Sequence, residues 1–201
     1  MKLGCVLMAA GAASRFGENK LLKPFWGVPL YLRAMDAIPK DAFCAVAAVS
    51  GTKEILAAAV ERGFVPVLND RPELGVSRTV RLGLEALLNA GAEAALFLVA
   101  DQPLLTSASV AGLLDFFLGE PSAPAALSHG GKRGNPVIFP KEYFPALLAL
   151  TGDEGGGAAL KASGVSPRLF AIADARELMD VDTAEAFRTL AEASANAVRP
   201  D

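Results

Sequence analysis

The 201-residue chain is 52% hydrophobic but only 7% aromatic, an Ala-, Leu- and Val-rich balance that suits helices packed on a sheet and excludes an intrinsically disordered chain. Its 19 basic and 22 acidic residues leave a net charge of -3 and are spread along the sequence, so it lacks the basic footprint of a nucleic-acid or anionic-membrane binder. At this length one α/β unit can bury roughly 70% of the surface its extended chain exposes, and the expectation is a single domain over 1–197 with a frayed tail at 198–201.

Apolar runs bounded by turn residues predict strands at Leu3–Ala9, Phe43–Val49, Val65–Leu68 and Ala94–Ala100. Helical patterns at Leu30–Ile38, Lys53–Arg62 and Val76–Asn89 lie between them. Strand and helix alternate, which predicts right-handed βαβ units and an α/β fold with a mostly parallel central sheet covered on both faces. Beyond Asp101 the rhythm loosens into a helix at Ser107–Leu118, short apolar strips at Ala123–Leu127, Pro136–Phe139 and Arg168–Ile172, and a closing helix from Thr183 to Ala195. These later strips are expected to add mixed or antiparallel strands. Cys5 and Cys44 sit in apolar runs with no C-x-x-C partner and read as buried thiols, in keeping with a reducing cytoplasm. The N-terminal apolar stretch is short and ends in Gly and Arg, and no run reaches the length of a membrane span, so a cytoplasmic protein, neither secreted nor anchored, is expected. The sole histidine, His129, stands beside glycines and reads as a surface residue on a flexible stretch, not a catalyst.

The first strand runs into "AAGAASRFGENKLL", a loop at the carboxyl edge of the sheet, where open α/β folds bind ligands. Gly11 and Gly17 let backbone approach a ligand, the amides between them can form an anion-holding concavity, and Arg15 and Lys20 supply charge-assisted donors for phosphate oxygens. It is not a Walker A loop, since five residues separate the glycines and Lys20 stands three beyond Gly17; the G-x-G-x-x-G pattern fails as well. From spacing alone, a glycine turn with two solvated charges explains the loop equally well.

Two acidic sites follow. In "FLVADQPLL" Asp101 ends the most hydrophobic strand, where a carboxylate is costly unless a cation meets it. In "LMDVDTAEAF" Asp180 and Asp182 precede Thr183, which is placed to cap the last helix. The bland readings are a strand-end ion pair for Asp101 and a helix cap for Asp182. The functional reading joins Asp101 and Asp182 around a Mg²⁺ ion, a hard cation held by one or two carboxylates plus substrate phosphates.

Taken together the strings resemble the MobA-like nucleotidyltransferases, most closely the molybdenum cofactor cytidylyltransferases. Ala9, Ala10, Gly11, Arg15, Phe16, Gly17, Lys20, Leu21 and Leu22 match the first-loop signature, and "ADQP" and "D-x-D-T" match two more. In "LNDRPELGVSRTVRLGLEAL", Asn69, Gly75 and Ser77 match a helix-opening segment, with Val76 and Thr79 as departures. "GGKRGNPVIFP" keeps Arg133, Gly134, Pro136 and Val137 but has Asn135 where the family has His; "TGDEGGGAAL" keeps Gly152, Asp153 and Gly155 but has Gly157 where the family has Arg.

The resemblance implies a three-layer Rossmann-like nucleotidyltransferase fold and transfer of CMP from CTP to the terminal phosphate of the molybdenum cofactor, with release of pyrophosphate. It implies nucleotide binding by Ala9, Ala10, Gly11, Arg15, Lys20, Asn69, Gly75 and Ser77. It implies Mg²⁺ on Asp101 and Asp182, and an acceptor side of Arg133, Gly134, Asn135 and Asp153. Arg15, Lys20 and Asp101 are the expected catalytic residues, and a client molybdoenzyme is the implied protein partner. Other expectations are guanylyl transfer to the same cofactor, nucleotidyl transfer to a sugar or polyol phosphate, and, from a different class, a nucleotide-binding protein that inserts the cofactor without transferase activity. The missing Arg at position 157 keeps that last reading open, with Lys132, Arg133 or Lys161 as replacements for it.

Overall fold

The computed structural model describes residues 1–10 and 19–195. Its elements, in chain order, are β1 (Leu3–Met8), the short hairpin β2 (Pro24–Phe25) and β3 (Val28–Pro29), α1 (Leu30–Asp36), β4 (Ala45–Ser50), α2 (Lys53–Glu61), β5 (Val65–Leu68), α3 (Val76–Asn89) and β6 (Ala94–Val99). There follow α4 (Ser107–Leu118), β7 (Ala125–His129), β8 (Lys132–Pro140), α5 (Phe144–Leu148), α6 (Gly156–Ser163), β9 (Arg168–Ala171) and α7 (Ala184–Ala195).

Seven strands form one sheet in the order β5-β4-β1-β6-β8-β7-β9. The first four pair in parallel; β8 runs antiparallel to β6 and β7, and β9 is parallel to β7. The chain first winds outward from β1 through α1 and α2 to β5, then returns through α3 to β6 on the other side of β1. A right-handed crossover that reverses direction must put its helix on the opposite face. Accordingly Leu3, Cys5 and Leu7 of β1 join the core that contains α1, α2 and α4, while Val6 and Met8 join the core of α3, α5 and α6. The sheet is thus buried on both faces, which explains why its parallel strands read as continuous apolar runs.

Helix α3 lies close over the sheet because it has no side chain at the crossing. A Cβ on Gly83 would run into Val6 and stand 3.2 Å from Val49, and one on Gly4 would stand 2.7 Å from Leu87. This close approach sets the height of the α3 N-terminus above the sheet edge.

The helix boundaries at α3 and α4 agree with the hydrophobic pattern, as does β5. Strand β4 starts later than its apolar run, because Lys40–Ala42 form a 3-10 turn and Phe43 donates its N–H back to Lys40. Cys44 is therefore exposed rather than buried; only Cys5 is enclosed, and burial pushes its thiol well above the usual range. His129 is half-buried at the end of a strand, its Nδ1 3.0 Å from the Ile172 carbonyl, and not on a flexible stretch. The β7–β8 register runs from Ala126 opposite Val137 to Ser128 opposite Arg133, so two extra residues are accommodated in β8. Pro136, which cannot donate to a ladder, sits in this bulge, and the bulge re-aims Gly134 and Asn135. The 198–201 tail lies outside the described residues.

Filling the α3 crossing tests this packing. Gly83→Ala should lower the urea unfolding free energy by about 1–3 kcal/mol, the range for overpacking a close contact, despite alanine's better helix propensity. A more stable variant would contradict the close approach.

Candidate active site

The strand order reverses between β1 and β6, and their carboxyl ends form a crevice. Ala9 and Ala10 follow β1 and are buried, with the Ala9 N–H donating to Val49 O and the Ala9 carbonyl accepting from Ser50 Oγ. Gly11 and Arg15 of the first-loop signature lie outside the described residues. Lys20 is described: it opens a 3-10 turn, Lys20–Leu22, which Asn19 caps by accepting the Leu21 N–H at 3.0 Å. Asn19 also donates to Thr52 Oγ1 at 2.7 Å, fixing the turn to the start of α2. An Asn immediately before K-L-L is a capping signal that sequence reading could have used.

From this turn the Lys20 ammonium reaches two carboxylates, Asp101 Oδ2 at 2.8 Å and Asp182 Oδ1 at 2.9 Å. The Lys20 and Asp101 side chains are 19% and 20% exposed, whereas Asp182 is 63% exposed, so the pair nearest the sheet is the better shielded one. Burial by itself would lower the Lys20 pKa, but Asp101 and Asp182 together hold it above the ordinary lysine value. Asp182 is free to face Lys20 because Thr183 caps α7, accepting the Ala186 N–H at 3.0 Å.

The segment that carries Asp182 is tied to the end of β6. Val181 donates its N–H to the Asp101 carbonyl at 2.9 Å, and Gln102 Nε2 donates to Leu178 O and to Asp180 Oδ1. Buried Glu177 accepts from both the N–H and the hydroxyl of Thr106. Gln102 and Glu177 escaped the sequence reading, since nothing local pairs residue 102 with 178–180 or 106 with 177. Asp180 sits in the same cluster, where burial first, then the charges of Asp101 and Asp182, push its carboxyl up to about 6 despite the Gln102 hydrogen bond and Lys20.

Asn69 is fully buried: its amide donates to Thr79 Oγ1, while its Oδ1 accepts from Arg71 N and Arg78 Nε. Ser77 is also buried and donates its N–H to Gly152 O at 3.0 Å. Gly75 has φ +89°, and a Cβ there would fall on the Gly152 carbonyl. Gly75 and Ser77 therefore lock the α3 N-terminus against the 152–155 loop, joining the segment expected on the nucleotide side to the one expected on the acceptor side. Asp153 is exposed on that loop.

Behind the switch point lies a cavity of about 260 Å³. Met8, Val80, Phe97 and Phe139 form apolar walls, and Arg133, Asn135 and Gly155–Gly157 also line it. Gly134 lies against Leu178, where a Cβ would stand 2.9 Å from Cδ1. Arg133, Asn135 and Gly157, far apart in sequence, are thus brought together, whereas Lys20, Asp101 and Asp182 form a separate polar cluster at the sheet edge.

The doubly covered α/β sheet thus presents a lysine between two aspartates at its switch point, the place where open α/β folds bind ligands. The chain belongs to the family of the MobA-like NTP transferase domain, whose model matches residues 5–168. It is 28% identical to the purine catabolism protein PucB of Bacillus subtilis (strain 168) over 193 residues, 90% of this chain and 92% of that one. It is 32% identical to a molybdenum cofactor guanylyltransferase of Rhodobacter capsulatus over 109 residues, 52% of this chain and 54% of that one. The structure of Rv0371c from Mycobacterium tuberculosis H37Rv matches with a TM-score of 0.78 at 22% identity, over 96% of this chain and 98% of that one, and Rv0371c has also been solved in complex with manganese. Among the described residues no helix is long and apolar enough to cross a membrane.

The raised Asp180 pKa carries a sign. The folded state holds this proton more tightly than the unfolded chain, so this group's contribution to stability is present at low pH and is lost as pH rises from about 4 to about 6. Asp180→Asn should therefore raise the melting temperature at pH 7.5 and leave it nearly unchanged at pH 4.5. Equal shifts at both pH values would contradict the electrostatic origin.

Proposed function

We propose that the protein is a divalent-metal-dependent nucleotidyltransferase that moves CMP from CTP to the terminal phosphate of the molybdenum cofactor and releases pyrophosphate. The observation that carries this reading is the Lys20 ammonium shared by Asp101 and Asp182 at the switch point. Two carboxylates converging on one positive charge make a set of hard oxygen donors that suits Mg²⁺, with substrate phosphates completing the coordination. When bound, the ion would neutralise charge on the α-phosphate and the acceptor oxygen.

The chain's own residues then have distinct tasks. Ala9 and Ala10, small and buried at the end of β1, leave room for the nucleotide to lie against backbone. Lys20, with Arg15 from the same loop, would stabilise charge growing on the departing pyrophosphate. An acceptor phosphate oxygen forms its bond to the α-phosphorus while the bond from that phosphorus to the bridging oxygen of the β-phosphate breaks. The attacking oxygen is already ionised near neutral pH, so the reaction asks for positioning and charge neutralisation rather than for a protein nucleophile. Arg133, Gly134, Asn135 and Asp153 are assigned to the acceptor side, and Asn69, Gly75 and Ser77 to shaping the nucleotide side from within. A cytoplasmic setting and a client molybdoenzyme that receives the product belong to the same reading.

CTP is favoured because Ala10 precedes Gly11 where the guanylyl-transferring pattern has a second glycine. GTP is the second reading, favoured by the partial similarity to the Rhodobacter guanylyltransferase. Pyrophosphate release with Mg²⁺ and each of the four NTPs, with and without molybdenum cofactor, separates them. Release with CTP plus cofactor alone is the expected result; release with GTP alone transfers the case to the second reading, and silence with every NTP overturns both.

Two substitutions test the machinery. Asp101→Ala should lower kcat by about 10²–10³-fold without loss of the folded state, the scale of removing one electrostatic stabiliser. Lys20→Ala should raise the Kd for NTP about tenfold. Normal turnover in the first or normal affinity in the second would remove that residue from the site.

A further inference from the structure

The cavity behind the switch point has apolar walls but a cationic rim, and the cation is Arg133, one of the three residues the sequence offered as replacements for the missing arginine. Arg133 stands on β8, yet its guanidinium crosses to the first turn of α6, where its Nη2 lies 3.1 Å from the point a Cβ on Gly157 would occupy. Position 157 is where the resembled family pattern carries its own arginine. In this chain a glycine stands there, and the guanidinium of another residue lies over it. The neighbouring position is equally constrained, since a Cβ on Gly156 would stand 2.9 Å from Phe139 Cζ in the cavity wall. Among the described residues the Arg133 side chain makes no ion pair or hydrogen bond. Its charge is therefore available at the cavity mouth, beside the first amides of α6, which also favour an anion.

We infer that Arg133 and Gly157 form a matched pair that determines acceptor specificity: the bare turn at Gly157 lets the Arg133 guanidinium reach the cavity mouth and hold an anionic group, while the ligand's flat apolar body fills the cavity. The ligand class is an amphipathic aromatic or heteroaromatic ring system with a phosphate or similar anion at one end. A volume of about 260 Å³ and walls that include Phe97 and Phe139 suit such a ring system, and a guanidinium suits oxyanions. The assignment of that ligand as the acceptor rests on the transferase reading above; the pairing of Arg133 with Gly157 does not.

The test uses 1-anilinonaphthalene-8-sulfonate, a flat apolar probe with one anion, in fluorescence titrations of the full chain. Arg133→Gln, which removes the charge and the reach of the guanidinium but keeps a polar side chain, should weaken binding about tenfold. The double variant Arg133→Gln with Gly157→Arg moves the guanidinium to α6 and should recover binding to within about threefold of the starting protein. The uncharged analogue N-phenyl-1-naphthylamine should bind all three proteins alike. Unchanged sulfonate binding in Arg133→Gln, or no recovery in the double variant, overturns the pair. In the transferase assay the same single variant should raise the acceptor KM about tenfold and leave the NTP KM unchanged. A protein that releases no pyrophosphate with any NTP but shows the expected titration pattern refutes the transferase reading and keeps the site. An active enzyme in which Arg133→Gln leaves the acceptor KM unaltered refutes the acceptor assignment.

Discussion

Three distant segments of this chain converge on a single ammonium group at the edge of the sheet. Lys20 Nζ binds carboxylates that lie 81 and 162 residues further along the chain, so the first loop, the end of β6 and the segment before α7 converge on it. Asp101 is well shielded from water, and a carboxylate in that position depends on a positive neighbour. Removing the cation would leave a partly buried charge unpaired, which costs far more than the net value of an exposed surface pair. The architecture that places Asp101 there is the winding of the sheet: β1 and β6 become neighbours only because α3 reverses the direction of travel, and α3 can cross so low only because Gly83 and Gly4 leave room.

The electrostatics also limit what the site can accept. One lysine faces Asp101, Asp182 and, above about pH 6, an ionised Asp180, so the described cluster carries net negative charge near neutral pH. A polyanionic nucleotide approaching it meets repulsion unless additional positive charge arrives with it. On the proposed reading, the carboxylates that hold Lys20 would call for a divalent cation, and Lys20 would turn to phosphate oxygens once its carboxylates face that second positive charge. The apolar cavity a short distance away supplies the contrast: among the described residues the Arg133 guanidinium on its lining has no carboxylate partner.

Much of the fold was legible because both faces of the sheet are covered. Continuous apolar runs located β1, β4, β5 and β6, and the leucine pattern of α3 fixed its limits. The reading failed where an apolar run continued past a turn, as at Phe43–Cys44, and where a hairpin was mistaken for a loose glycine stretch around His129. Within the site, the strand-ending Asp101 could be picked out because a carboxylate after a buried strand is locally anomalous, and the D-x-D-T segment because its two acids precede a capping threonine and match the resembled signature. Glu177 and Gln102 could not, since their partners are more than 70 residues away. The sequence offered Lys132, Arg133 or Lys161 as replacements for the arginine missing at 157 but could not choose among them; that Arg133 is the one lying over Gly157 is seen only in three dimensions. Asn69, which the resemblance marked for the nucleotide side, is buried just after β5, where its side-chain amide bonds Thr79 and Arg78 of α3.

The central claim is that this carboxylate pair makes nucleotide binding depend on a divalent cation. Isothermal titration of the protein with CTP, in 5-fold steps of Mg²⁺ from a chelated baseline, tests it most directly. The account predicts affinity that rises at least tenfold as Mg²⁺ is added, and a dependence on Mg²⁺ that is abolished when Asp101 and Asp182 are both replaced by alanine. Affinity independent of Mg²⁺ in the unaltered protein, or a Mg²⁺ dependence that survives loss of both aspartates, would contradict it.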